Sequence, residues 1–256
     1  MTVICIFFSC ILQTLGGCIS YPDAESAIRM ELPFYSNTES IIKYTGYTVS
    51  YDEVSRIPVW VAYELSADEA RGTIGRSGKY FRQDDKVKVV QADNYDYRGS
   101  GWSRGHMAPA GDFKWDDEAM WETFYYTNCC PQDEQLNNGS WNVLENKVRT
   151  WAQRFGRVYV VTGPFVEKNQ YGKIGVNQVT VPDAFFKALL VLSNDDTYHG
   201  IAFLMNNNST QQRLAGCCLS INDLEKLIGI DFFPLLDDTI EEQVESEVDL
   251  LFWNIW

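Results

Sequence analysis

The run Pro58-Val59-Trp60-Val61-Ala62-Tyr63-Glu64-Leu65 constrains this chain more than any other segment. Apolar side chains fill every position from Val59 to Tyr63, so the alternation of a half-exposed strand is absent. Such a run suits a central strand buried on both faces. Tyr47 to Tyr51, joined to it through Asp52-Glu53, reads as its hairpin partner. Further strands are predicted at 124–127, 158–161, 174–181, 185–192 and 198–205. Residues 72–96 are polar apart from Val87, Val89 and Val90, and 98–112 carry four glycines and read as a loop or irregular hairpin. A short helix is predicted at 116–123. A long one runs from about Asn138 to Phe155, where Trp141, Leu144, Val148, Trp151 and Phe155 recur at three and four residues. Ser220 is placed to cap a helix over 221–228. Strands dominate, which gives an α+β class with a mainly antiparallel central sheet and flanking helices as the simplest topology.

The 256 residues are 45% hydrophobic and 14% aromatic, enough for one substantial core, and residues 18–256 read as a single domain. The formal net charge of −14 argues against tight static binding to a polyanion, which favours a basic surface. It leaves room for local positive charge at one cleft. Arg71, Arg76, Lys79, Arg82, Lys86, Lys88, Arg98 and Arg104 are grouped between residues 71 and 104. The acidic residues Asp237, Asp238, Glu241, Glu242, Glu245, Glu247 and Asp249 cluster near the C-terminus and read as a solvated helix face.

Residues 3–15 are almost all apolar, too short for a comfortable membrane span and suited to a signal-peptide core. The run ends in Leu15-Gly16-Gly17-Cys18, similar to a bacterial lipoprotein processing site, although no Lys or Arg precedes it. Residues 1–17 are therefore expected to be a leader. The expected destination is periplasmic, outer-membrane or extracellular, with membrane attachment through a lipidated Cys18. Cys129-Cys130 and Cys217-Cys218 remain. A disulfide between the pairs and buried free thiols are both open readings. Adjacent cysteines are poorly spaced for zinc.

The chain has two histidines. His199 sits in an apolar strand, which favours a structural role. His106 lies in Ser103-Arg104-Gly105-His106-Met107-Ala108-Pro109-Ala110. Thr127-Asn128-Cys129-Cys130-Pro131-Gln132 follows, and then Asn137-Asn138-Gly139-Ser140-Trp141-Asn142-Val143-Leu144-Glu145. Singly, these residues have plain readings: Asn137 as a helix cap, Glu145 as an exposed helix residue, Asn128 in a turn, Arg104 in a surface ion pair. As types, they suit phosphodiester hydrolysis. An imidazole neutral near pH 7 is a good general base. Arginine is a forked, permanent donor for phosphate oxygens, and Mg²⁺ takes few protein oxygens and keeps its waters.

In order and spacing the series resembles the DNA/RNA non-specific endonuclease family, the endonuclease G-like ββα-metal nucleases. That family's pattern is Asp-Arg-Gly-His, then Ser-Asn-x-x-Pro-Gln, then Asn-x-x-x-Trp-x-x-x-Glu. The resemblance extends to Trp60–Leu65, Val161–Pro164 and Ile228–Pro234, most of the chain after the leader. It implies a ββα-metal motif in which the hairpin carrying Arg104 and His106 packs against the helix carrying Asn137 and Glu145. It also implies hydrolysis of DNA and/or RNA to 5′-phosphate products. Under the resemblance His106 is the general base and Asn137 the sole direct ligand of Mg²⁺, with Mn²⁺ or another divalent ion as substitutes. Glu145 orients metal-bound water, Arg104 contacts phosphate, and Asn128 belongs to the catalytic set. Arg76 matches a second phosphate-contacting arginine, with Arg82 as its competitor. Ser103 stands where the family has aspartate, and Phe124 where some relatives have asparagine. Rival readings are an exported, non-catalytic nucleic-acid binder on the same fold and a phosphodiesterase for smaller nucleotides.

Overall fold

The computed structural model describes residues 29–255; the expected leader and Cys18 lie outside them. In chain order the elements are β1 (Ser40–Lys43), β2 (Thr48–Asp52), β3 (Ile57–Ser66), α1 (Asn94–Tyr97), β4 (Ser103–His106), α2 (Asp117–Glu122), β5 (Cys129–Gln132), α3 (Glu134–Leu136), α4 (Asn142–Phe155), β6 (Arg157–Phe165), β7 (Lys173–Ile174), β8 (Val179–Thr180), β9 (Ala184–Leu192), β10 (Tyr198–Asn206), α5 (Leu214–Cys217), β11 (Cys218–Leu219), α6 (Ile221–Ile228), α7 (Asp238–Ser246) and α8 (Leu250–Trp253). Seven strands form one sheet in the order β1-β2-β3-β6-β9-β10-β11, every neighbouring pair antiparallel. The α+β reading of the sequence is the observed architecture.

The unbroken apolar run of β3 has the explanation expected of it. Val61, Tyr63 and Leu65 enter one core; Trp60 and Ala62 enter a second core on the opposite face. β9 alternates in the same way, with Phe185, Leu189 and Val191 in the first core and Phe186, Ala188 and Leu190 in the second. Helix α4 covers the first face with Leu144, Val148, Trp151 and Ala152, and the C-terminal Trp253 packs edge-on to Trp151. The second face is covered by Ile221 and Leu224 of α6, Phe232, Phe233 and Val244 of α7. Ser220 caps α6, its hydroxyl accepting from the Asp223 N–H at 3.1 Å.

Three expectations need correction. Residues 124–127 are not a strand: Tyr125 makes a single bridge to Arg82, Tyr126–Asn128 form a tight helical turn, and the ladder of β5 begins at Cys129. Residues 174–181 are two short strands around a turn, in which the Asp96 carboxylate accepts from the Asn177 backbone and amide N–H groups at 2.9 and 2.8 Å. Finally, the acidic stretch does form a helix, but Glu245 is only 4% exposed and belongs to the interior. All four described cysteines are free thiols. No helix among the described residues is long and apolar enough to cross a membrane.

Candidate active site

A two-stranded hairpin, β4 with β5, stands apart from the main sheet, and its register pairs Arg104 with Pro131 and His106 with Cys129. Gly105 is required by close approach. A Cβ there would run into the Gln132 side chain opposite it, so the glycine lets the flanking Arg104 and His106 sit tight against β5.

The helix bearing the second half of the site is not the straight one that periodicity predicts. Asp133 caps α3, accepting from Gln135 and Leu136 N–H at 2.9 and 3.0 Å. A wide π-type turn over Asn137–Trp141 then bends at Gly139 before α4 begins; such turns inside helices are frequent at functional sites. Asn137 has helical backbone angles and closes α3 as its C-cap, so it is not an N-terminal cap, and its side-chain amide makes no hydrogen bond among the described residues.

Hairpin and helix enclose a cleft of about 570 Å³ whose lining includes Arg76, Arg104, His106, Lys114, Asn137, Glu145 and Arg149. Five of the six residues singled out from the sequence meet here: Arg76, Arg104, His106, Asn137 and Glu145. Asn128 does not. It is fully buried beneath the hairpin; its carbonyl oxygen accepts from Ala108 N–H at 2.8 Å, and its amide N–H groups donate to the carbonyls of Ala108 and Thr123 at 2.9 Å each. Its capacity is spent on fixing the backbone just after His106. Between the two competing arginines, Arg76 lines the cleft and Arg82 does not.

The His106 ring is partly exposed, yet its Nε2 is shielded from solvent and has no hydrogen-bond partner. Phe81 and Phe124 pack against the ring at 4.7 and 5.0 Å between centroids. Burial, and next the Arg76 charge, pull the His106 pKa down to about 3, so the imidazole is neutral with a lone pair available. Phe124, the departure from an asparagine, is thus a wall of the histidine's apolar collar. Arg104 donates to Asn94 and lies over the Tyr97 ring at 5.3 Å.

Beneath Glu145 lies a buried charge set that the sequence reading missed. Asp112, on the loop after β4, accepts from Tyr63 Oη–H at 2.8 Å and from Arg149 at 2.5 Å. Arg149 is one helical turn beyond Glu145, a spacing that could have flagged it. Lys187 points from β9 into the same region. It is 0% exposed, lies over the Trp141 ring at 5.0 Å, and its Nζ has no hydrogen-bond partner. Burial raises the Glu145 carboxyl, and Lys187 is the foremost charge drawing it back down; burial likewise lowers the Lys187 ammonium. A lysine in the middle of an apolar strand buried on both faces was its sequence signal.

No group of three or more His, Cys, Asp or Glu among the described residues could cage a metal ion. What the cleft offers is the side-chain amide oxygens of Asn137 and its neighbour Asn138 and the nearby Glu145 carboxylate. This sparse, hard-oxygen set fits a divalent ion that keeps most of its own water, as Mg²⁺ does.

The family model described as DNA/RNA non-specific endonuclease matches residues 26–239. Among curated relatives, mitochondrial nuclease EXOG of Mus musculus is 36% identical over 244 residues, covering 84% of this chain and 66% of the relative. Nuclease C1 of Cunninghamella echinulata var. echinulata is 34% identical over 230 residues, covering 84% and 90%. This chain spans about two thirds or less of the EXOG relatives it matches. The mitochondrial address in several relatives' names lends no support to a lipid anchor at Cys18. A crystal structure of the EndoG/EndoGI complex contains a chain that superposes with TM-score 0.74 at 31% identity, covering 79% of this chain and 89% of that one. With the family model matched from before β1 into α7, this chain belongs to the DNA/RNA non-specific endonuclease family.

Proposed function

We propose that the protein is a divalent-metal-dependent nuclease that hydrolyses phosphodiester bonds of DNA and/or RNA, leaving 5′-phosphates. The observation that carries this reading is an unpartnered, shielded His106 Nε2 and an unbonded Asn137 amide facing one cleft that also holds Arg76 and Arg104. His106 Nε2 takes the proton from the attacking water. Substrate phosphate beside it offsets the Arg76 charge that depresses its basicity, so the base strengthens when substrate binds. Arg76 and Arg104 neutralise the non-bridging oxygens as charge builds on them. Asn137 would hold the metal through its amide oxygen, and Glu145 accepts hydrogen bonds from water in the cleft. When bound, the ion supplies Lewis-acid charge to the phosphoryl group and the leaving 3′ oxygen. Asn128 acts by holding the loop behind His106. Cationic contacts to phosphate, which every sequence shares, account for weak sequence preference.

Plasmid DNA and RNA incubated with Mg²⁺, with EDTA, and with His106→Ala or Asn137→Ala proteins test this. Cleavage is expected with the wild type in Mg²⁺ only, and His106→Ala should lose about 10²- to 10⁴-fold in rate. Activity that persists in both EDTA and His106→Ala overturns the mechanism. Tight binding without cleavage, across several divalent ions, would establish the non-catalytic binder instead.

A further inference from the structure

The basic residues of segment 76–86 do not all serve the cleft. The segment runs alongside 124–126, with Arg82 N–H donating to Phe124 carbonyl and Tyr126 N–H to Arg82 carbonyl, both at 3.0 Å. Side chains therefore alternate across it. Phe81 turns inward against His106, while Tyr80 and Arg82 turn outward. On that outer side Tyr80 meets Trp121 edge-on, centroids 5.5 Å apart. The Arg82 guanidinium lies 4.9 Å from the Trp121 ring and 4.7 Å from the Tyr125 ring. Tyr125 stacks on Tyr44 at 5.6 Å, and Lys86 caps Tyr44 at 4.3 Å. The result is a continuous ladder of rings and cations, one backbone away from the catalytic histidine.

Two features go beyond ordinary packing. Tyr80 is 65% exposed although it is a large ring with an apolar neighbour, and Arg82 Nε is shielded from solvent without a hydrogen-bond partner. Charge is also available there: Lys79 is taken up by Asp117 at 2.6 Å, but Arg76, Arg82 and Lys86 form no ion pair among the described residues.

We propose that the ladder from Tyr80 through Trp121 and Arg82 to Tyr125 is a substrate-binding track for single-stranded nucleic acid, on which unpaired bases stack before the strand enters the cleft. The proposal rests on the nuclease reading above and adds a substrate class to it. Tyr80 is the ring of this ladder that protrudes, and an exposed ring backed by cations accepts any base that has a free face. In a duplex those faces are already stacked on neighbouring bases, so the track discriminates by pairing state, not by sequence.

Fluorescence anisotropy in EDTA, where nothing is cut, tests it with two probes: an oligothymidylate of about twelve nucleotides and a hairpin duplex of the same nucleotide count. Tyr80→Ala should weaken binding of the single strand by about tenfold and leave the duplex within about twofold. Tyr80→Phe should retain single-strand affinity. Because Tyr80 is exposed, the variants should melt with the wild type. Equal losses on both probes, or no loss, overturn the track while leaving the nuclease reading intact. A wild type that neither binds nor cleaves either polymer overturns both.

Discussion

Lys187 occupies a position that only its surroundings make tolerable. An ammonium buried without hydrogen bonds costs several kcal/mol unless countercharges compensate it, and here Glu145 is the first of them. Asp112 is already committed to Arg149 and Tyr63. Lys187 therefore acts as the positioning charge that draws the Glu145 carboxyl back toward ionisation, beside the Asn137 proposed to hold the metal. Lys187→Met keeps the chain shape and removes the charge. Glu145, already raised by burial, then rises further, so ionisation is complete only at higher pH. The acid limb of the pH–rate profile should move to higher pH, with activity at neutral pH falling several-fold and recovering in alkali. A profile that keeps its shape, scaled down uniformly, would assign Lys187 to packing alone. At this scale the sequence was half legible. Arg104, His106, Asn137 and Glu145 stand in a linear motif, whereas Asp112, Arg149 and Lys187 are united only by tertiary packing. Asn128 shows the converse: it belongs to the motif, yet its amide works on the backbone and not on the cleft.

At the scale of elements, the β4–β5 hairpin sets the precision of the site. Gly105 faces the buried Gln132, and its replacement by alanine forces that side chain or the strand to shift. Overpacking of this kind costs about 1–3 kcal/mol, and the displacement falls directly on Arg104 and His106. Gly105→Ala should fold with a lowered melting temperature and lose far more activity than stability. Calorimetry alongside a cleavage assay checks this; full activity would show that the hairpin can breathe without penalty. The elements whose prediction failed share one cause. Residues 124–127 carry strand-like side chains, but the buried Asn128 amide draws the Thr123 carbonyl into a closed turn. Residues 174–181 are interrupted because Asp96, far away in sequence, pins Asn177. In both places a side-chain hydrogen bond from outside the segment overrides its own preference, whereas β3, β9 and α4 were legible because their periodicity is their packing.

At the scale of the whole molecule, the two faces of the sheet have different electrostatic behaviour. The cleft face holds paired charges. Opposite it, Glu245 of α7 is buried with Glu225, Glu241 and Asp231 as its charged neighbours, and its Oε1 has no hydrogen-bond partner. Burial first, then those carboxylates, lifts its pKa from 4.5 to about 9. The folded protein thus retains a proton that the unfolded chain releases between about pH 4.5 and 9. Folded stability from this group is full at low pH and declines as pH rises through that window. Glu245→Gln, which is neutral throughout, should melt at a temperature several degrees above the wild type at pH 8 and close to it at pH 4, at roughly 2–4 °C per kcal/mol for a chain of this size. Equal melting temperatures at pH 8 would mean that the four carboxylates relax apart.

The lining of the cleft comes from the loop at 74–81, the small hairpin with the loop and α2 that follow it, and the bent start of α4; no residue of the seven-stranded sheet reaches it. Change in this lineage therefore has two nearly separate theatres. The sheet can drift through apolar exchanges that preserve its two cores while the chemistry stays as it was, and a few short peripheral segments can be rewritten to alter what is cut without dismantling the scaffold. Lys187 is the exception that ties them together, a sheet residue whose loss the cleft would register, and it marks where neutral drift in the scaffold ends.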